Sequence, residues 1–272
     1  MPELPEVETT RRGIEPHLLG RPLGTIIVRE TRLRHPVPDS LTGLAGDHVL
    51  EVRRRGKYLI LDLERGGALL IHLGMSGSLR ITGKVEDFRK HDHIAFGLPG
   101  GLQLRYHDPR RFGLVLHLAK GDPMEHPLLA SLGPEPLGPD FHAAHLHAAC
   151  RKRSAPIKQV IMDAAVVVGV GNIYASESLF HAGIRPRTAA RRVTRARLEG
   201  LVEAIRRVLT DSIEQGGTTL RDFVGGDGQP GYFRQKLYVY ERAGQPCRVC
   251  GGPVRQAVLG QRSTYWCPAC QR

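Results

Sequence analysis

Apolar residues recur in short segments between Leu23 and Ala119, some alternating with polar residues and some nearly continuous, as in Leu59-Ile60-Leu61-Asp62-Leu63. Segments of this length bounded by turn residues predict short β-strands, in which successive side chains point to opposite faces. We predict eight of them, at 23–33, 48–54, 58–63, 68–73, 78–81, 93–98, 102–106 and 114–118. Short strands separated by glycine-rich or polar turns favour an antiparallel sandwich or barrel over a βαβ unit.

Helical spacing appears before and after this strand-rich region. Residues 5–19 begin with Pro5 and with acids that complement the positive end of a helix dipole. We interpret the proline-rich stretch 123–140 as a linker. After it, apolar residues recur at helical intervals. The helices predicted there cover 142–150, 156–164, 173–182 and 194–215.

Four cysteines lie close to the end of the sequence in two CxxC pairs. Cys247 and Cys250 form the first pair, and Cys267 and Cys270 form the second one after sixteen intervening residues. This spacing is typical of four-thiolate zinc sites, in which two knuckles joined by a β-hairpin supply the sulfur ligands. Two disulfides are the alternative. We predict one structural zinc ion, with no coordination position left for catalysis.

These patterns together predict an α+β multidomain fold. An N-terminal antiparallel β-sandwich with a leading helix is expected at 1–130. A helical domain follows at 131–235, and a C-terminal four-cysteine zinc finger with a β-hairpin covers 236–272.

The chain has a formal net charge of +12 and a sequence pI near 9.9. Such a basic excess in a folded chain points to a polyanionic partner, and nucleic acid is favoured. A membrane surface is the competing explanation, but no apolar run approaches the roughly 18 residues of a membrane span. Acids at the start of the chain argue against a signal peptide. The clustered cysteines indicate a reducing, cytoplasmic compartment.

The first eight residues combine a potentially reactive terminus with acidic side chains. If Met1 is removed, the chain begins with the secondary amine of Pro2, which can attack a carbonyl-like carbon and form a Schiff base. Glu3 beside it is a candidate acid or base. The alternative is a solvated lead-in to the helix, without chemistry.

Several candidate contacts with nucleic acid lie on turns. Asn172 follows the glycine-bearing segment Gly169-Val170-Gly171 at a helix start, where backbone N–H groups can bind phosphate. Tight helix packing is the alternative there. Phe112, which follows Arg110 and a second arginine, can wedge into a base stack, as can Met75. Packing in the core is the more ordinary role for both apolar side chains.

Other single residues allow two interpretations each. Arg262, at the tip of the predicted hairpin, suits a phosphate contact or is a solvated tip residue. Lys57 ends a basic run and either lies in a solvated turn or projects its amine towards the N-terminus. His91 and His93 share a strand face, but we reject a metal site because no third ligand of suitable spacing stands out. Cys150 on a helix is expected to be a small buried hydrophobic residue.

Five stretches, taken in order, resemble the formamidopyrimidine-DNA glycosylase family, and the resemblance spans the chain from Pro2 to Cys270. They are Pro2-Glu3-Leu4-Pro5-Glu6-Val7-Glu8, His72-Leu73-Gly74-Met75-Ser76-Gly77, Asp108-Pro109-Arg110-Arg111-Phe112-Gly113, Gly169-Val170-Gly171-Asn172-Ile173-Tyr174-Ala175-Ser176-Glu177 and the four cysteines. The resemblance implies that the helical domain is a helix-two-turn-helix DNA-binding domain. It also implies that residues 218–233 form a loop that caps a flipped base.

By this resemblance the protein is a bifunctional DNA glycosylase and AP lyase of base excision repair. It would remove oxidised purines, 8-oxoguanine and formamidopyrimidines, from duplex DNA and cut the strand by β,δ-elimination. The implied catalytic residues are Pro2 as the Schiff-base nucleophile, Glu3 as proton donor, Glu6 as support of the terminus, and Lys57 and Arg262 as proton donors for β- and δ-elimination. The implied DNA contacts are Met75, His91, Arg110, Phe112, Arg153, Lys158 and Asn172. Which of Arg151, Lys152 and Arg153 contacts DNA stays open.

The implied partner is double-stranded DNA with oxidised purines or abasic sites, in which Arg110 faces the orphan cytosine. One structural zinc ion and no organic cofactor are expected, in a monomer of the bacterial cytoplasm that acts at the nucleoid. An endonuclease VIII-like enzyme for oxidised pyrimidines is the first alternative, disfavoured by Leu4 and by the long glycine-bearing cap region. A non-catalytic DNA-binding protein is the second, disfavoured by Pro2 and Glu3.

Overall fold

The computed structural model describes residues 2–83, 86–217 and 236–272. Within them the chain forms two compact units: the first holds 2–130 and 215–217, and the second holds 131–214 and 236–272. The capping loop expected at 218–233 lies outside the described residues. The division into three domains, with a boundary between 235 and 236, remains a prediction.

The first unit begins with helix α1 (Leu4–Leu18) and ends with the short helix α2 (Pro127–Ala130). Its strands are β1 (Ile26–Val28), β2 (Val49–Arg55), β3 (Tyr58–Leu63), β4 (Ala68–His72), β5 (Ser78–Gly83), β6 (Asp92–Leu98), β7 (Leu102–His107) and β8 (Leu114–Leu118). They form two antiparallel sheets, with the orders β1-β6-β7-β5 and β2-β3-β4-β8. The predicted antiparallel strands and leading helix are thus confirmed.

Strand β1 is shorter than the predicted range 23–33. The backbone N–H groups of Arg29 and Glu30 both donate to one carbonyl, that of His93. Two consecutive donors on one acceptor cannot continue an antiparallel ladder, in which donors and acceptors alternate. Pairing with β6 therefore ends at Val28.

The two sheets share a core of apolar side chains. Leu59 and Leu61 of β3 belong to the same buried cluster as Ile94 and Phe96 of β6. Helix α1 adds a stripe of Val7, Ile14 and Leu18 to this core. Removal of this apolar surface from water is the dominant stabilising contribution to such a unit.

The second unit contains helices α3 (Ala143–Cys150), α4 (Ile157–Met162), α5 (Asn172–His181) and α6 (Arg195–Glu214), and a hairpin of β9 (Arg255–Leu259) with β10 (Arg262–Trp266). The helix boundaries agree with the predicted ones to within two residues. Thr194 caps the start of α6, because its hydroxyl oxygen accepts the N–H of Arg197 at 3.4 Å. Gly216, with φ of +74°, follows the end of that helix.

The C-terminal hairpin packs against helix α5. A buried cluster joins Phe180 of α5 to Val239, Val254, Tyr265 and the cysteine knuckles. The finger therefore shares a core with the helices of its unit. Among the described helices, none combines the length and the run of apolar residues that a membrane crossing requires.

Candidate active site and nucleic-acid contacts

The start of helix α1 is buried rather than solvated. Pro2 is buried, and Glu3 and Glu6 are 1% and 0% exposed. The carboxylate of Glu6 accepts the backbone N–H of Glu3 at 2.8 Å as part of a capping box. A capping box satisfies N–H groups that have no partner inside the helix. The sequence of acids around Pro5 thus holds Pro2 and Glu3 in one place.

Helix α1 and strand β2 run antiparallel and touch at three places. Leu19, just after the helix, bridges to Val49 at the start of the strand. Arg11 donates to the Val52 carbonyl at 3.2 Å, and Glu8 forms an ion pair of 3.1 Å with Arg54 near the end of the strand. The next positions of this series are the beginning of α1 and the turn after β2.

Glu8 holds this arrangement electrostatically. Burial favours the protonated carboxyl, but hydrogen bonds from Arg11 and Arg12, with the nearby charge of Arg54, leave the pKa of Glu8 below its ordinary value. The carboxylate is therefore ionised at neutral pH. It binds three guanidinium groups from α1 and β2.

Lys57 lies in a two-residue hairpin turn between β2 and β3, since Arg55 pairs with Tyr58. Gly56 takes φ of +56°, the left-handed value that the first central residue of such turns requires. Burial, followed by the positive charges of Lys57 and Arg34, lowers the pKa of His72 to about 4. The charge of the candidate amine thus contributes to the electrostatic environment of a histidine at the end of β4.

Two predicted loops emerge at this end of the same sheet. Strand β4 ends at His72, which pairs with Leu114 at the beginning of β8. Gly74 has φ of +63°, and a Cβ atom there would collide with the backbone of Phe112 and Gly113. A Cβ atom at Gly113 would collide with the carbonyl of His72. Only glycines allow this approach, which joins the loop 72–77 to the loop 108–113.

A buried carboxylate, that of Asp108, binds both loops. Its side chain is fully buried and accepts hydrogen bonds from the hydroxyl of Ser76 at 2.8 Å and from the N–H of Gly113 at 2.9 Å. Longer contacts of 3.3 Å come from the N–H of Arg110 and the hydroxyl of Tyr106. The sequence interpretation gave Asp108 no separate role, although an acid before proline at a predicted strand end was a visible signal.

The joined loops present the three residues that were predicted to enter DNA. Met75 is half-buried, Arg110 is exposed, and Phe112 is 47% exposed. The guanidinium carbon of Arg110 lies 4.7 Å from the centre of the Phe112 ring, a cation–π distance. Core packing, the ordinary alternative for Phe112, is therefore wrong.

His91 precedes β6 and lines a cleft of about 300 Å³ together with Arg29, Lys90 and Arg111. His93 is buried, and its Nε2 lies 2.8 Å from the carbonyl oxygen of Asp108. Neither histidine belongs to a group of metal-ligand side chains within the part of the chain that the structure describes. The rejection of a histidine metal site agrees with this.

In the second unit, Lys158 and Asn172 form a buried pair. Lys158 is 1% exposed, and its ammonium donates to the side-chain oxygen of Asn172 at 2.6 Å, to the hydroxyl of Thr264 at 2.8 Å and to the carbonyl of Ser263 at 3.1 Å. The Asn172 amide nitrogen donates to the same Ser263 carbonyl at 3.0 Å. Lys158 thus connects α4, the start of α5 and β10.

The two remaining predicted DNA contacts are arginines at the surface. Arg262 is exposed and follows the turn Gly260-Gln261, whose residues have φ of +56° and +59°, values typical of a type I′ hairpin turn. Arg153 is exposed as well and forms an ion pair of 2.8 Å with Asp163. Both guanidinium groups are accessible to a polyanion.

The four cysteines converge at the base of the hairpin as free thiols. Their sulfur atoms lie within 4.8 Å of one another, with 3.9 Å between Cys247 and Cys270 and 3.4 Å between Cys250 and Cys267. A zinc ion with Zn–S bonds of about 2.3 Å would need sulfur separations of about 3.8 Å. The residues fit a closed tetrahedral zinc site, and the disulfide alternative is wrong.

Two further buried groups have structural roles. Glu177 of α5 is 1% exposed and accepts the backbone N–H groups of Tyr238, Val239 and Tyr240 at 2.8 to 3.0 Å. This contact, which the sequence interpretation missed, fixes the segment that leads into the finger. Cys150 is buried as expected, and burial raises the pKa of its thiol to about 11, so it is unreactive.

Comparisons with known proteins agree with this geometry. A model of the formamidopyrimidine-DNA glycosylase N-terminal domain matches residues 1–115, one of the formamidopyrimidine-DNA glycosylase H2TH domain matches 132–224, and one of a zinc finger found in FPG and IleRS matches 244–272. A formamidopyrimidine-DNA glycosylase of Methylococcus capsulatus is 59% identical, covering 100% of both chains.

Two solved structures resemble the chain over its full length. A mutant Lactococcus lactis FPG in complex with Fapy-dG containing DNA has a TM-score of 0.93 and 31% identity, with 100% of both chains covered. MutM in complex with carbocyclic 8-oxo-G containing DNA has a TM-score of 0.92 and 32% identity, again with 100% of both chains covered. Sequence identity at these levels over whole chains indicates a family relationship in addition to a shared fold.

Proposed function

The chain belongs to the formamidopyrimidine-DNA glycosylase family of base-excision-repair enzymes, and on that premise we propose which bond it breaks and with which residues. The substrate is duplex DNA with an oxidised purine, either 8-oxoguanine or a formamidopyrimidine. The enzyme removes the base and then cuts the abasic strand by β,δ-elimination.

The observation that carries this proposal is the buried capping box at the start of α1. Glu6 holds the Glu3 backbone at 2.8 Å, and the contacts of α1 with β2 lead towards Lys57. An amine nucleophile, a carboxyl group and a second amine are the groups that Schiff-base chemistry with proton transfer needs. A preorganised terminus loses little entropy when it reacts.

In the proposed reaction, Met1 is first removed and Pro2 becomes the terminal residue. The flipped lesion nucleotide presents C1′ of its deoxyribose to the amine. The C1′–N bond of the base breaks as the new C–N bond forms, and Glu3 supplies the proton that opens the sugar ring. The resulting iminium acidifies the C2′ protons, and the Glu3 carboxylate left by ring opening accepts one of them. The C2′–C3′ double bond then forms as the C3′–O bond breaks, and the 3′ phosphate leaves with Lys57 as its proton donor.

The second elimination and the DNA contacts use the other candidate residues. Arg262 serves as proton donor for δ-elimination and, with Asn172, contacts phosphates of the lesion strand. Met75 and Phe112 fill the gap left by the flipped nucleotide, and Arg110 donates to the orphan cytosine. His91 and Arg153 contribute further phosphate contacts. We assign Lys158 to the support of Asn172, since its ammonium is buried and already bound.

The solved relatives support the lesion class. The Lactococcus lactis FPG complex holds Fapy-dG and the MutM complex holds a carbocyclic 8-oxo-G. In this proposal the zinc ion holds the hairpin of Arg262 in shape, and the enzyme acts as a monomer without an organic cofactor.

Borohydride trapping tests the proposed chemistry. Reduction of the iminium by borohydride should join the protein covalently to an 8-oxoguanine duplex. An uncleaved N-terminal tag, which turns the Pro2 amine into an amide, should abolish the adduct while duplex binding persists. Pro5→Ala, in the same helix turn but with the Pro2 amine intact, is the matched control and should still be trapped. An untagged wild-type protein that forms no adduct, or a tagged protein that forms as much, would refute the Schiff-base mechanism.

A further inference from the structure

The strongest unassigned feature of the first unit is the carboxylate of Asp108. It is 0% exposed, and no cation of the described residues lies within ion-pair distance of it. A buried charge without a counter-ion is costly unless hydrogen bonds satisfy it. Asp92 of β6 shows the usual way to stabilise a buried carboxylate, because the guanidinium of Arg80 binds it at 2.6 Å.

Asp108 is satisfied by donors from separate parts of the chain. Its Oδ1 atom accepts from Ser76, in the loop 72–77. Its Oδ2 atom accepts from the backbone of Gly113, in the loop 108–113, and from the hydroxyl of Tyr106 in β7. The Ser76 oxygen in turn accepts the N–H of Arg110 at 3.2 Å. One carboxylate and one hydroxyl thus form a closed network between the two loops.

This network leaves the loop tips little freedom. The backbones meet at Gly74 and Gly113 without space for a side chain, and the hydrogen bonds from Ser76 and Gly113 to Asp108 measure 2.8 and 2.9 Å. Charge-assisted hydrogen bonds are stronger than neutral ones. Met75, Arg110 and Phe112 are therefore presented by one rigid element rather than by two independent loops.

We propose that Asp108 is a positioning residue which, through Ser76, couples the loops 72–77 and 108–113 so that Met75, Arg110 and Phe112 enter the duplex together. The inference rests on the proposed function, in which these side chains replace the flipped nucleotide. Its consequence is recognition of the opposite base: Arg110 can select cytosine only if its guanidinium is held at a defined place.

Two variants test this coupling. Asp108→Asn keeps the size of the side chain but replaces one acceptor oxygen by a donor, and Ser76→Ala removes the link to the other loop. Leu69→Ala is the control for general destabilisation, because Leu69 is buried in β4 and pairs with His117, away from the loops. Urea unfolding of all variants gives their free energies of unfolding. The loop variants are then compared with Leu69→Ala at a similar loss of stability.

The first readout does not depend on catalysis. Pyrrolocytosine is placed opposite a tetrahydrofuran abasic analogue, where entry of the loop side chains changes its fluorescence. Wild-type protein should change this signal at saturating concentration, and both loop variants should reduce the change, whereas Leu69→Ala should not. Absence of a wild-type signal, an unchanged signal in both loop variants, or an equal loss in Leu69→Ala would overturn the inference.

The second readout is the preference for the opposite base. The ratio of 8-oxoguanine excision opposite cytosine to excision opposite adenine should fall about tenfold in Asp108→Asn, the effect of one charge-assisted hydrogen bond. An unchanged ratio would overturn the coupling. Borohydride trapping of the same proteins reports the Pro2 chemistry separately, so failure of the proposed function and failure of this inference give different results.

Discussion

The ammonium nitrogen of Lys158 lies 2.6 Å from the side-chain oxygen of Asn172, in the interior of the second unit. Because an ammonium only donates, this contact fixes which end of the Asn172 amide is the oxygen, and the amide nitrogen must then face the Ser263 carbonyl. Lys158 therefore determines the orientation of a residue at the start of α5 and links it to the strand that carries Arg262.

Replacement of Lys158 should show whether its ammonium orients Asn172 or binds a DNA phosphate directly. Lys158→Met keeps the length of the side chain and should weaken duplex binding about tenfold through loss of Asn172 orientation, with an unchanged dependence on salt. Arg262→Ala, in contrast, should lower the slope of log K against log salt by about one. Binding isotherms at several salt concentrations measure both. A reduced slope for Lys158→Met would instead show a direct phosphate contact.

The capping box makes a prediction about the N-terminus. Glu6→Ala removes the acceptor for the Glu3 N–H and should cost about 1 kcal/mol of unfolding free energy, as other capping losses do. The yield of borohydride adduct should fall as well, because the terminus is no longer held. Glu15→Ala, in the same helix but paired with Arg11 instead of the terminus, is the control and should retain the adduct. Equal yields for the two variants would contradict a role of Glu6 in holding Pro2.

His72 gives a prediction about pH. Its pKa is lowered to about 4 in the folded state, first by burial and then by Lys57 and Arg34, whereas an unfolded histidine titrates near 6.5. The unfolded chain thus binds the proton more tightly between these values. The contribution of neutral His72 to stability is complete above pH 6.5 and is lost as the pH falls towards 4, by on the order of 3 kcal/mol.

Urea unfolding between pH 4 and pH 8 measures this contribution. His72→Asn keeps an acceptor for the Gly74 N–H, which His72 now binds at 2.9 Å, and should show a weaker loss of stability on acidification than wild type. His147→Asn, at an exposed position of α3, should follow the wild-type curve. Parallel curves for wild type and His72→Asn would remove His72 as a cause of acid destabilisation.

The cysteine cluster predicts the effect of zinc removal. Cys250→Ser should release zinc and loosen the hairpin, because metal binding and folding of such fingers are coupled. Duplex binding should weaken with it, since Arg262 follows the hairpin turn. Cys150→Ala is the matched control, because Cys150 lies in α3 outside the cluster. Zinc content is measured with a chelating dye after denaturation, and full zinc occupancy in Cys250→Ser would refute the site.

Most elements of the fold could be predicted because their signals are local. The short apolar segments of β2 to β8, bounded by turn residues, and the helical spacing of α3 to α6 depend on neighbours within a few positions. The CxxC pairs and the acids around Pro5 are equally local. Two elements are exceptions. The early end of β1 depends on the backbone of His93 in another strand, and the short helix α2 lies in the proline-rich stretch interpreted as a linker.

The sequence by itself determined the element types, the four-thiolate cluster and the candidate residues of the N-terminus. Only the tertiary structure decided that Asp108 binds Ser76, 32 positions away, and that Lys158 reaches Ser263, 105 positions away. It also decided that Lys158 is buried while Phe112 is exposed. Pairings of this kind depend on how sheets and helices pack, which no periodicity in the chain encodes.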